Sequence, residues 1–116
     1  MAFNIANASG GGRIGGRGYV YVMRDNNQVY IGCSSKPEWR VKEIQLEKPT
    51  ITLVNKVSAK EMIGAKTAAQ DAVQRVHGMQ KTLPNATDWY YFPNTDTLEA
   101  VLETVTNAVH NHNKTN

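Results

Sequence analysis

Aromatic and β-branched residues fill Tyr19–Met23 and Gln28–Ile31, and the polar stretch Asp25-Asn26-Asn27 separates the two runs. Such side chains suit a pleated, half-buried surface, while Asp and Asn tolerate the positive φ angles of tight turns. The pattern predicts a β-hairpin. The apolar period then lengthens. Pro37 suits a first helical turn, the Cys33-Ser34-Ser35 loop is placed to cap it, and Trp39, Ile44 and Leu46 are expected to face inward, with Glu38, Lys42, Glu43 and Glu47 in solvent. Lys48-Pro49 ends this helix. Thr50–Val57 is β-branched and partly alternating, and reads as a strand beside the hairpin.

Ser58-Ala59-Lys60-Glu61 has the form of a capping box, so a long helix is predicted from there to about Gly78 or Lys81. Its core face is Met62, Ala65, Ala69, Ala72, Val73, Val76 and Met79 or Gln80, recurring every three or four residues. Trp89–Phe92 reads as a last strand. Asp96-Thr97-Leu98-Glu99 opens a final helix that buries Leu98, Val101, Leu102, Val105, Ala108 and Val109 and ends near His110. The elements sum to an α+β fold, a small three- or four-stranded, mostly antiparallel sheet flanked by helices, with a C-terminal helix.

On neighbouring antiparallel strands, Tyr21 and Tyr30 are opposed or diagonal and close enough to act together. Arg40, in the first turn of the following helix, points back at the same place. These residues carry a resemblance. Tyr19-Val20-Tyr21, then Tyr30-Ile31-Gly32, then Arg40 ten residues beyond Tyr30, resemble the signature of GIY-YIG nucleases, nearest the small phage and mobile-element branch whose first motif reads GYVYV. His77, followed twelve residues later by Trp89 within Asp88-Trp89-Tyr90-Tyr91-Phe92, is similar to the helix histidine and closing strand of that branch. The likeness runs from Gly18 to Phe92.

The resemblance implies a metal-dependent endonuclease that hydrolyses DNA phosphodiester bonds. Tyr30 or Tyr21 would orient or deprotonate water, Arg40 would steady the phosphate, and a helical glutamate would bind one Mg2+ or Mn2+ ion. A phenol is a poor base at neutral pH unless neighbouring charges lower its pKa, so that role depends on the other members. The chain departs from the branch at the carboxylate. The position four residues before His77, where the metal-binding glutamate is expected, is Val73, on the apolar stripe. Glu61 is the remaining candidate, if the helix carries an insertion of about two turns. A second reading is therefore a nuclease-derived protein that has lost cleavage and binds nucleic acid, or inhibits or regulates a protein partner. A homodimer through the C-terminal apolar stripe, or through Tyr90 and Tyr91, is a third.

At 116 residues the chain is expected to be one domain, residues 18–110, between a flexible Gly-rich arm (1–17) and a disordered tail (111–116) with His110 and His112 at the surface. The net charge of +3 is unevenly spread: Met1–Lys42 holds six basic residues against two acidic ones, and the remainder seven against eight. Basic charge gathered around the motif suits a polyanion, because neutralised phosphates release counterions. Arg13, Arg17, Lys36, Lys42 and His77 are the candidate nucleic-acid contacts. The one cysteine, Cys33, excludes an internal disulfide and a Cys/His zinc pattern, and is expected to pack beside the second motif. With no long apolar run and no signal-peptide pattern, a soluble, cytoplasmic protein is expected.

Overall fold

The computed structural model describes residues 16–83, 88–92 and 97–115. Strands β1 (Gly18–Asp25) and β2 (Gln28–Ser34) form the expected hairpin, with Asp25 opposite Gln28 and Asn26 at φ 55° in the turn. Helix α1 (Pro37–Gln45) follows, then strand β3 (Thr52–Ala59), helix α2 (Met62–His77), strand β4 (Trp89–Tyr91) and helix α3 (Leu98–Thr115). The four strands are antiparallel in the order β3-β1-β2-β4. This is the α+β architecture expected from the pattern.

Strand alternation divides the core into two. Val20, Val22, Val29 and Ile31 point to one face of the sheet, where Ala65, Ala69 and Val73 of α2 and Val101, Val105 and Val109 of α3 close over them. Tyr21 and Met23 point to the other, beneath Val41 and Ile44 of α1 and beside Ile51. Helices α2 and α3 thus share one face, and α1 covers part of the opposite one. Burying a valine or isoleucine contributes about 1.5–3 kcal/mol, more than a single local capping preference of about 1 kcal/mol. That inequality accounts for the departures from the sequence expectation.

Ser58 and Ala59 lie in β3 and not at a helix start. Val57 pairs with Val20 and Ala59 with Gly18, and both side chains are buried. The helix begins three residues later than the capping box suggests, with Glu61 as its N-cap, both carboxylate oxygens accepting from the Gly64 amide at 3.0 and 2.9 Å. Ser34, similarly, is the last residue of β2, and α1 has Lys36 at its N-cap without a side-chain cap. Pro37 and Val41 set the buried side of α1. Trp39 stands about 200° from Val41 around the helix and is 68% exposed, and Leu46, the C-cap, is 87% exposed; neither faces inward.

At the end of α2, Gly78 takes the left-handed conformation, φ 65°, and the Met79 amide bonds the Val73 carbonyl. This turn puts Met79 in the core and leaves Val76 exposed. Asp96 lies outside the described residues; Thr97 Oγ1 caps α3 by accepting from the Ala100 amide at 3.1 Å. Residues 111–115, expected as a disordered tail, are the last turns of α3. Asn113 anchors them, accepting from the Lys60 amide and donating to the Ser58 carbonyl, both at 3.0 Å. The valine stripe of α3 is spent inside the chain and Tyr90 is fully buried, which removes the surfaces on which a homodimer was expected, Tyr91 excepted. Among the described residues, no helix is long and apolar enough to cross a membrane.

Candidate functional site

The hairpin register sets the two motif tyrosines diagonally. Tyr21 pairs with Gly32 and Tyr30 with Met23, leaving the phenol rings 5.8 Å apart on the α1 face of the sheet. Gly32 is what allows it: a Cβ there would collide with Cε1 of Tyr30 and come within 3.1 Å of the Tyr21 hydroxyl. Trp89 of β4 stands edge-on against the other side of Tyr30, at 5.2 Å and 70°. The Tyr30 ring is therefore clamped between Tyr21 and Trp89. Only its hydroxyl end is free to act.

Arg40 comes from the first turn of α1 and pairs with Glu43 at 3.1 Å, with about half of its side chain exposed. Its charge favours the ionised form of both phenols, but burial dominates and pushes both pKa values up. The closeness of the two phenols disfavours ionisation of Tyr21, and Arg40 offsets this only in part. Next after burial, the negative charge of Asp88 raises Tyr30. Both phenols are neutral near pH 7, so they are hydrogen-bonding groups and not standing bases.

A carboxylate lies at this site, and neither the glutamate position of the resemblance nor Glu61 supplies it. Asp88, just before β4, accepts from the Tyr30 hydroxyl on Oδ2 at 3.4 Å, a long bond. Its Oδ1 accepts from the Gln70 amide at 2.8 Å and the Lys66 ammonium at 3.2 Å. Its backbone carbonyl takes the Ile31 amide at 3.0 Å, and Gln70 also donates to the Ile31 carbonyl at 2.8 Å. Lys66 and Gln70 are one turn apart on α2, so both reach around the sheet edge to the same oxygen. The site thus joins a tyrosine pair and an arginine on one face to an ion pair fed from the other.

Beside it is a hollow of about 200 Å³ lined by Tyr30, Arg40, Ile44, Glu47, Lys48 and Trp89. A second, of about 370 Å³, continues along Gln28, Thr82, Leu83 and Tyr91 and shares Lys48 and Trp89 with the first. Lys48 Nζ sits 5.3 Å from the centre of the Trp89 ring. Arg40, Lys48, the Tyr30 phenol and half-buried Trp89 suit a phosphate with a flat group attached, with one carboxylate, Glu47, on the same wall.

Of the residues picked from sequence, Tyr21, Tyr30 and Arg40 come together. Glu61 does not join them: it caps α2 and faces His112 of α3 at 3.8 Å, so its assignment as a metal ligand is withdrawn. His77 is held between α2 and α3, its Nε2 2.7 Å from Thr104 Oγ1, and does not join the tyrosine pair and Arg40. Lys36 is exposed at the start of α1, and Lys42 lies on its outer side with Trp39 and Leu46. Arg17 borders a shallow hollow with Tyr19, Ser35 and Ser58; Arg13 lies outside the described residues. Val73 is fully buried in the α2–α3 core, as its stripe position implies.

The Mg2+ or Mn2+ ion that the resemblance implies meets a poor donor set here. On Asp88, one oxygen already carries an ammonium and an amide and the other a hydroxyl. A hard cation would have to displace Lys66, and among the described residues no three His, Cys, Asp or Glu side chains gather to hold it. Asp88, Lys66, Gln70, Lys48 and Trp89 were missed as site residues. Asp88 had a signal in the sequence, since it opens the Asp-Trp-Tyr-Tyr-Phe run already likened to the family's closing strand. Comparison with protein-family models, curated proteins and solved structures returns no match.

Proposed function

We propose that this chain acts on DNA phosphodiester bonds as an endonuclease of the GIY-YIG type. The observation that carries the reading is the Tyr30 hydroxyl, its ring beside that of Tyr21, 3.4 Å from an Asp88 oxygen and under the field of Arg40, at the mouth of a hollow with a second cation, Lys48. A backbone phosphate bound in that hollow places its charge between Arg40 and Lys48. Water approaching phosphorus loses a proton toward Tyr30, whose own proton passes to Asp88. The new P–O bond forms as the bond to the leaving sugar oxygen breaks, and that oxygen takes a proton from solvent. Arg40 and Lys48 offset the charge that builds on phosphorus and on the departing oxygen.

A second reading, nucleic-acid binding without cleavage, is favoured by one observation: Lys66 and Gln70 already neutralise Asp88, weakening it as a proton acceptor. Incubating the full chain with supercoiled plasmid separates the two. Nicking by the wild type that falls about a hundredfold or more in Arg40→Ala supports the endonuclease. Saturable DNA binding that weakens in Arg40→Ala, with no nicking in any divalent ion, supports the binder and rejects the enzyme.

A further inference from the structure

We infer that Lys66 is the resident cation of this site: its ammonium holds the place on Asp88 that a divalent ion would take, and phosphate is bound here without a metal. The inference rests on reading Asp88 as part of the phosphate site. It concerns the source of positive charge there and not whether cleavage follows.

Three observations carry it. Lys66 Nζ and the Gln70 amide both donate to the same Asp88 oxygen, at 3.2 and 2.8 Å, so that oxygen is filled by donors. The ion pair is mostly enclosed, its side chains 24% and 21% exposed, where water and salt screen charge less than at an open surface. The geometry is also built from the backbone up. Asp88 is fastened to β2 through Ile31, and Lys66 and Gln70 flank the buried Ala65-Ala69-Val73 stripe of α2, so the core fixes where the ammonium arrives. A magnesium ion approaching Asp88 would shed tightly held water and meet a positive charge already seated. Burial pushes the Tyr30 phenol and the Cys33 thiol up, and the field of Lys66 opposes it at both. A cation on this carboxylate thus acts on the tyrosine at the mouth of the hollow.

Replacing Lys66 then has a consequence that a merely structural lysine would not show. Lys66→Met keeps the aliphatic stem and frees Asp88; Lys66→Glu sets a second carboxylate beside it. Both open a divalent-cation site that the wild type lacks. The test uses the full chain and two probes, Tb3+ luminescence excited through Tyr30 and Trp89, and the shift of melting temperature with Mn2+. The wild type is expected to give no saturable Tb3+ signal and no Mn2+ shift, and to bind a short DNA duplex equally with Mg2+ or with chelator. Lys66→Glu is expected to bind Mn2+ at least about tenfold more tightly than wild type and to be stabilised by it, with Lys66→Met between them. The added Asp88→Asn change should erase the gain.

Saturable Tb3+ binding to the wild type that disappears in Asp88→Asn would overturn the inference, and so would a folded Lys66→Glu that gains no cation affinity. The wild-type measurement stands even if a variant fails to fold. Absence of nicking beside these cation results would reject the endonuclease and leave Lys66 in its role. Nicking that requires Mg2+ bound at Asp88 of the wild type would do the reverse.

Discussion

Gly32→Ala tests the central geometric claim, that the motif glycine exists to let two tyrosines meet. Gly32 is not in the left-handed region, so alanine meets no backbone strain there, and the smaller entropy cost of ordering alanine favours it by about 0.5–1 kcal/mol. Against that, the new Cβ collides with Tyr30 Cε1 and lies 3.1 Å from the Tyr21 hydroxyl and 3.2 Å from its Cζ. Overpacking of this kind costs about 1–3 kcal/mol. The steric term wins, and a net loss of about 0.5–2 kcal/mol is expected, which at roughly 4 °C per kcal/mol lowers the melting temperature by about 2–8 °C. Tyr30 cannot retreat freely, because Trp89 packs against its other side. Thermal unfolding followed by far-UV circular dichroism gives the loss, and the same measurement on Tyr30→Ser and on the double variant gives its origin. Without the Tyr30 ring the severest clash is gone and only the tight Tyr21 contacts are left, so the double variant should be more stable than additivity requires, by about 0.5–2 kcal/mol. An unchanged melting temperature in Gly32→Ala, or strictly additive losses, would refute the claim.

Two further outcomes follow from the same geometry. Val73→Glu restores a carboxylate at the position where the resemblance looks for one, but Val73 is fully enclosed by the α2–α3 core. An unpaired buried charge costs several kcal/mol, so a large fall in melting temperature is expected with no gain in Mg2+-dependent nicking; a stable variant with new metal-dependent cleavage would show that the residue faces the site. Alkaline titration is the second. Burial pushes the phenols of Tyr21, Tyr30 and Tyr90 above their ordinary value of about 10. The folded chain then keeps protons that the unfolded chain releases. Stability that is fully present below pH ~10 is therefore lost as the pH rises through the folded pKa values. Melting temperatures across that range, with absorbance at 295 nm, check it: all five tyrosines of a folded chain titrating together with midpoints near the ordinary value of about 10 contradicts the burial argument.

Where neighbours in sequence are neighbours in space, the sequence was readable. The hairpin follows from alternation and an Asp-Asn-Asn turn, and its register places Tyr21 and Tyr30 on one face within a span of ten residues. Arg40 follows because a helix opened by Pro37 begins a few residues after β2. The core faces of α2 and α3 follow from their period, since burial of a stripe is the main stabilisation available to an amphipathic helix. The end of α2 at Gly78 follows from the residue most tolerant of a left-handed cap.

Tertiary structure decided whatever required weighing distant partners against local preference. Ser58 and Ala59 satisfy a helix-capping pattern, yet pairing with Tyr19 and Gly18 keeps them in the sheet, because the strand buries Val57 and Ala59. Trp39 looks like core by composition, but the phase of α1 is set by Pro37 and Val41 against the sheet, and that phase turns the indole outward. The carboxylate is the clearest case. A helix position was its expected source, and it arrives instead from Asp88, 58 residues beyond Tyr30, because β4 adds to the edge of β2 and carries the preceding residue to the tyrosine hydroxyl. Periodicity determines which side of an element is buried; only the assembled sheet edge determines which polar residues, from β2, β4 and α2, meet there.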